Sequence, residues 1–206
     1  AAVTAIEVLA GLALGGGLGA LTALGLAAAP RLGRAVMPAL VFTQTIPVFA
    51  LAPLLTLWLG YGMASKIAMT ILIIYFPVTS AFHDGLRRTD PGLLDLAHVM
   101  GATRARMLWR LRVPAALPSL ASGMRLAAVY APIGAVIGEW VGGSEGLGAL
   151  MIYANGRVKI DLMFAALLAL AVMTIALHQA MGAVARRLER HAHGERSGLR
   201  GSYTKS

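Results

Sequence analysis

The chain has 206 residues, of which 58% are hydrophobic and only 13% charged, with a formal net charge of +9 and no cysteine. That composition excludes an ordinary soluble domain and belongs to membrane proteins. The lack of cysteine excludes disulfides and thiolate metal sites and leaves the compartment unread from redox chemistry.

Five apolar runs are long enough, or nearly so, to cross a hydrocarbon layer about 30 Å thick. With no alternating ten-residue segments in the chain, they predict an all-α, polytopic membrane helix bundle. The first run, residues 6–29, carries Gly11, Gly15 and Gly19 at four-residue spacing beside Gly16 and Gly17. Small residues on one stripe let helices approach closely in lipid, either within this chain or between two copies. The second, residues 38–59, holds Pro47 and Pro53 in its interior, and each proline removes a backbone hydrogen bond and kinks a helix. Kinked helices often line a pathway, so Pro47 and Gln44, the lone amide of this run, are candidate pathway residues. An amide bonded to a neighbouring helix is the competing reading. The third run, residues 67–82, is the shortest and has to stand nearly upright.

A polar, arginine-rich stretch follows over residues 83–118. Asp90-Pro91 has the signature of a helix start and Gly101 that of its end. Between them Leu93, Leu96, Ala97 and Met100 fall at i, i+3, i+4 and i+7, one apolar face on a helix too short to span. Thr103 is placed to cap a second helix running to Val113, which Pro114 and Pro118 should break. Physics alone leaves room for such an amphipathic stretch to lie flat on anionic lipid.

The fourth run, residues 117–141, keeps Arg125 and Glu139 near its two ends, where both can reach the interface. Glu139 is too costly to leave in hydrocarbon, so it must face protein, water or a cation, as a pathway residue or as a structural partner. Trp140 beside it is a candidate for stacking on a planar solute, against the routine placement of Trp in aromatic belts. Tyr130 and Pro132 offer a hydroxyl and a kink midway along the same helix. The fifth run covers residues 162–184, and a basic tail, residues 189–206, is expected to be disordered. The membrane-embedded body is thus residues 1–188.

Charge placement decides orientation. With the loops alternating, about fourteen Lys and Arg fall on one side, including Arg31, Arg34, the arginines between 87 and 112 and the tail, whereas Lys66, Arg157 and Lys159 fall on the other. The positive-inside rule puts the 83–118 loop and the C-terminus in the cytoplasm. Topology accounts for the basic residues, so nucleic acid is not an expected partner. The same alternation leaves the N-terminus outside, which predicts one further span upstream of residue 1, itself Ala and preceded by no basic leader. His98 and His178 lack the neighbours of a metal site or proton relay, and no serine sits in a nucleophile elbow, which argues against an enzyme. No Gly-x4-Gly-Lys-Ser/Thr segment occurs, so the chain itself should bind no nucleotide.

The succession Asp95-Leu96-Ala97, three residues, Gly101, nine residues, Leu111, one residue, Val113-Pro114 resembles the EAA loop of ABC importer permeases, usually Glu-Ala-Ala-x3-Gly-x9-Ile-x-Leu-Pro. Asp95, Leu96, Leu111 and Val113 depart from that pattern conservatively. Gln44-Thr45-Ile46-Pro47, Leu51-Ala52-Pro53-Leu54, Trp58-Leu59-Gly60-Tyr61-Gly62 and Gly146-Leu147-Gly148 resemble the nitrate, sulfonate, taurine and thiamine-precursor group of these permeases. The resemblance implies a type I importer permease fold in the bacterial inner membrane. It further implies that Asp95, Leu96, Ala97, Met100, Gly101 and Pro114 belong to the element docking on a cytoplasmic ATPase. The implied partners are a second permease copy that completes a homodimer, two ATPases that carry ATP and Mg, and a periplasmic or lipid-anchored solute-binding protein. The segments from Val113 to Pro118 and from Ala131 to Gly142 look most like permeases for hydroxymethylpyrimidine, the pyrimidine precursor of thiamine, with sulfonate, taurine or nitrate next. An ion-coupled carrier and a membrane anchor are the rivals from other classes.

Overall fold

A computed structural model describes residues 1–200, with side chains through Arg187. The order of helices is α1 (Ala2–Ala28), α2 (Pro30–Thr43), α3 (Val48–Leu59), α4 (Met63–Arg87), α5 (Pro91–Val99), α6 (Arg104–Met107), a π-helical turn (Leu108–Arg112), α7 (Val113–Gly142), α8 (Leu147–Gly156) and α9 (Ile160–Arg200). The basic tail expected at 189–206 falls on residues whose side chains lie outside the described set; α9 itself is continuous to Arg200.

Three helices form the core, and small residues set their spacing. The glycine stripe of α1 lies on α4: a Cβ on Gly15 would meet the Ile74 side chain at 2.8 Å, and one on Gly19 the Tyr75 carbonyl at 2.9 Å. The stripe therefore packs within the chain, as close approach in lipid requires. On the other flank, Gly134 and Gly138 of α7 leave no room for a Cβ against the Cα atoms of Thr70 and Lys66. Val8, Leu12, Ile74, Val78 and Ala127 to Ala135 fill the resulting seam, and Ala23, Phe82, Leu86, Leu108 and Ala116 continue it toward the other end. Helix α9 packs on α7 and α8 and otherwise presents Leu168 and Val172 outward, as a lipid-facing helix does.

Three expectations need correction. The run at 38–59 is not one kinked span but two helices, α2 and α3, bent by 93° at residues 44–47. Pro47 lacks an N–H and disfavours helix at Ile46 before it. The side chains of Thr43 and Thr45 bond back to the carbonyls of Leu40 and Phe42, and the backbone closes in i→i−3 turns instead. Pro53, by contrast, sits inside α3 without breaking it. Among the described residues four helices are long and apolar enough to span, and five if the bent pair counts as one.

Second, the run at 67–82 is the middle of a 25-residue helix, so it need not stand upright. Third, Pro114 and Pro118 do not end a helix. The π turn at Leu108–Arg112, closed by Val113 N–H bonding to Leu108 O, widens the backbone just before Pro114, and the helical path runs on from Arg104 to Gly142.

Candidate functional site

Helix α5 is built as its sequence suggests. The Asp90 carboxylate accepts from Gly92 N–H at 2.8 Å, and Pro91 occupies the first turn where its missing N–H is harmless. At the far end Gly101 has φ +76, with Gly101 N–H bonding to His98 O and Ala102 N–H to Ala97 O, both at 2.9 Å. That pair of bonds is a Schellman closure, which needs a left-handed residue at the position of Gly101. Thr103 then caps α6, accepting from Arg106 N–H. No α5 residue is buried: Leu96 is 57%, Val99 85% and Met100 78% exposed, Asp95 is exposed and Ala97 half-buried. A stiff, doubly capped helix with its apolar side chains in the open is a surface waiting to be covered.

The opposite end of the core holds a feature the sequence reading missed. Glu7 of α1 and Lys66 of α4 are buried, with Lys66 Nζ held 3.0 Å from Glu7 Oε1 as an ion pair. Lys66 was expected in an outer loop; the first turn of α4 instead draws it into the bundle. Glu139 of α7 joins them, fully buried, its Oε2 accepting from Gly148 N–H at the start of α8. Lys66 Nζ also donates to the Glu145 carbonyl at 3.3 Å, and Thr4 Oγ1 accepts from Leu147 N–H at 2.8 Å. Gly146, with φ +119, and Gly148 let the backbone press directly on the Glu139 carboxylate. Together these contacts tie α8 to α1, α4 and α7. Glu7 one turn inside an apolar run was the available signal, because an intramembrane acid requires a partner.

The remaining sequence candidates are not brought together. Gln44 and Pro47 are exposed at the α2–α3 elbow, where Gln44 Nε2 reaches only Thr43 Oγ1. Tyr130 and Trp140 are 39% and 43% exposed on α7. Pro114 is half-buried just after the π turn. Among the described residues no group of three His, Cys, Asp or Glu is arranged to hold a metal ion.

Comparison with known proteins agrees with this architecture. The family described as "Binding-protein-dependent transport system inner membrane component" matches residues 15–191. A probable ABC transporter permease protein of Haemophilus influenzae is 56% identical over 85% of this chain and 72% of its own length. A formylaminopyrimidine transport permease protein of Halalkalibacterium halodurans is 49% identical over 67% of this chain and 55% of its own, so the chain spans little more than half of that relative. Among solved structures, the MetNI methionine ABC transporter in inward-facing conformations aligns with a TM-score of 0.73 at 20% identity, covering 88% of this chain and 93% of that one. At that identity the likeness concerns the fold.

Proposed function

The chain belongs to the binding-protein-dependent transport system inner membrane component family, and on that premise we propose that it is the permease subunit of an ATP-driven importer for a small pyrimidine. The observation that carries the reading is α5: a rigid, capped helix too short to span, carrying Leu96, Val99 and Met100 uncovered at one end of the bundle. In the proposed assembly Asp95, Leu96, Ala97, Met100 and Gly101 dock on a cytoplasmic ATPase, which holds the ATP and Mg, and Pro114 marks where the loop rejoins the bundle. Two permease copies, two ATPases and a solute-binding protein complete it.

Closure of the ATPases on ATP moves the docked helices, and the helical path through the π turn into α7 transmits that motion to the outer end. Energy enters because each conformation binds ATP and solute differently. The Glu7–Lys66–Glu139 cluster holds α8 against the core at that end. Gln44, Pro47, Tyr130 and Trp140 lie on open surface where a second copy and the solute would meet. The relative with a formylaminopyrimidine name supports a pyrimidine as the substrate, and the likeness of residues 131–142 to hydroxymethylpyrimidine permeases is what selects that pyrimidine.

The test is purification of the full-length tagged chain in mild detergent with identification of its companions by mass spectrometry. The expected result is a stoichiometric ATPase with a Gly-x4-Gly-Lys-Ser/Thr loop, and a binding protein that takes up hydroxymethylpyrimidine in calorimetry. Absence of any ATPase refutes the importer reading. Binding of taurine, a sulfonate or nitrate instead refutes only the substrate.

A further inference from the structure

Two adjoining cavities open at the end of the core that carries the arginine-rich loop. The larger, of about 1000 Å³, lies between the α1–α2 corner and the α6–π segment and is lined by Arg31, Arg34, Arg104 and Arg112. The smaller, of about 250 Å³, shares Arg34 and Arg112 with it and adds Arg87 and His83. Among the described residues no carboxylate lines either cavity, and none of these five arginines is ion-paired with one. Like charges gathered over low-dielectric walls repel one another and leave a strong positive potential in the space between them.

A buried imidazole borders the smaller cavity. His83 is only 4% exposed and lines the smaller cavity, yet its Nδ1 has no hydrogen-bond partner. Nδ1 is itself fully buried, so it faces protein and not the open cavity, and the ring serves as wall. Gly33 of α2 packs over the same ring, where a Cβ would lie 3.5 Å from Nε2, and it lines the smaller cavity with His83.

We infer that these cavities bind a phosphate-bearing anion, with Arg34 and Arg112 at the junction gripping its oxygens. The planar guanidinium fork matches phosphate oxygens in pairs, which lysine cannot do. The larger cavity also has apolar wall from Leu32, Leu108 and Trp109. Basic recesses between helices at the cytoplasmic face hold acidic lipid headgroups in this way, the phosphate in the recess and the glycerol along the apolar wall. A soluble phosphate compound shares the chemistry without needing the wall.

The experiment delipidates the full-length chain in the assembly it forms. It then adds phosphatidylglycerol, phosphatidylcholine or inorganic phosphate, reading adducts by native mass spectrometry and protection by thermal unfolding. Phosphatidylglycerol should bind at least tenfold tighter than phosphatidylcholine, and Arg34→Gln/Arg112→Gln should abolish that preference without changing phosphatidylcholine adducts. Arg31→Gln/Arg104→Gln, at exposed positions that cannot disturb folding, should weaken it severalfold. Protection by inorganic phosphate that is lost in the same variants would uphold the site and assign it to a soluble phosphate compound. Equal binding of the two lipids with no response to phosphate, or an unchanged preference in both variants, overturns the inference.

Discussion

Replacing Lys66 by Met isolates the energetics of the buried cluster. The ammonium stands 3.0 Å from Glu7 Oε1, with the two side chains 7% and 0% exposed. At an effective dielectric of about 20 that separation corresponds to roughly 5 kcal/mol of attraction, set against the desolvation of both ions. Methionine keeps most of the stem but removes the charge and the donor to Glu145 O. Glu7 and Glu139 are then buried carboxylates without a counter-charge, and one-sided loss of a buried pair costs about 3–5 kcal/mol. Lys66→Met/Glu7→Gln neutralises the paired one of the two carboxylates and leaves Glu139, which keeps its bond from Gly148 N–H, so it should recover a large part of the loss, since a buried pair as a whole is worth little net. The assay is reversible unfolding of the purified protein in mixed micelles by detergent titration, with thermal unfolding alongside. For a chain of this size the single variant should melt on the order of 10 °C lower. The reasoning fails if Lys66→Met lies within about 1 kcal/mol of the parent, or if the double variant is no more stable than the single one.

Three further substitutions probe other joints. Gly146→Ala puts a Cβ on a backbone at φ +119 and into the Glu139 carboxyl, so it should destabilise by about 2 kcal/mol or more and free α8; protease accessibility of the segment before Leu147 reads this directly. Gly101→Val forces a β-branched residue to φ +76 and breaks the Schellman closure, at about 1–2 kcal/mol. The chain should still insert, but recovery of the ATPase on affinity purification should fall, and normal recovery would count against α5 as the docking element. Val158 is the one non-glycine residue at positive φ among the described residues, +56, and is 79% exposed, so Val158→Asn should stabilise by about 1 kcal/mol in the same unfolding titration.

The spans at 6–29, 117–141 and 162–184, the caps of α5 and the left-handed Gly101 were legible because each rests on local physics. Hydropathy over about 20 residues fixes a span, and a carboxylate or glycine within a turn of a helix end fixes a cap. The elbow at 44–47 was half legible: its proline was plain, but whether a proline kinks a helix or ends one depends on its neighbours, and Pro53 and Pro118 show the opposite outcome. The continuity of α6 into α7 escaped notice because a π turn leaves no mark in composition. The Glu7–Lys66–Glu139 cluster was not legible as a unit. Its members lie 59 and 73 residues apart along the chain, and charge counting sorts each by its nearest helix end. Only the close approach of α1, α4 and α7 over their glycines brings the three together, where burial turns separate charges into one interdependent set. Sequence by itself thus determined which segments enter the membrane and how the α5 loop is cut. Tertiary structure decided which charges share a dry site, because that depends on the distance between helices and not on the residues within any one of them.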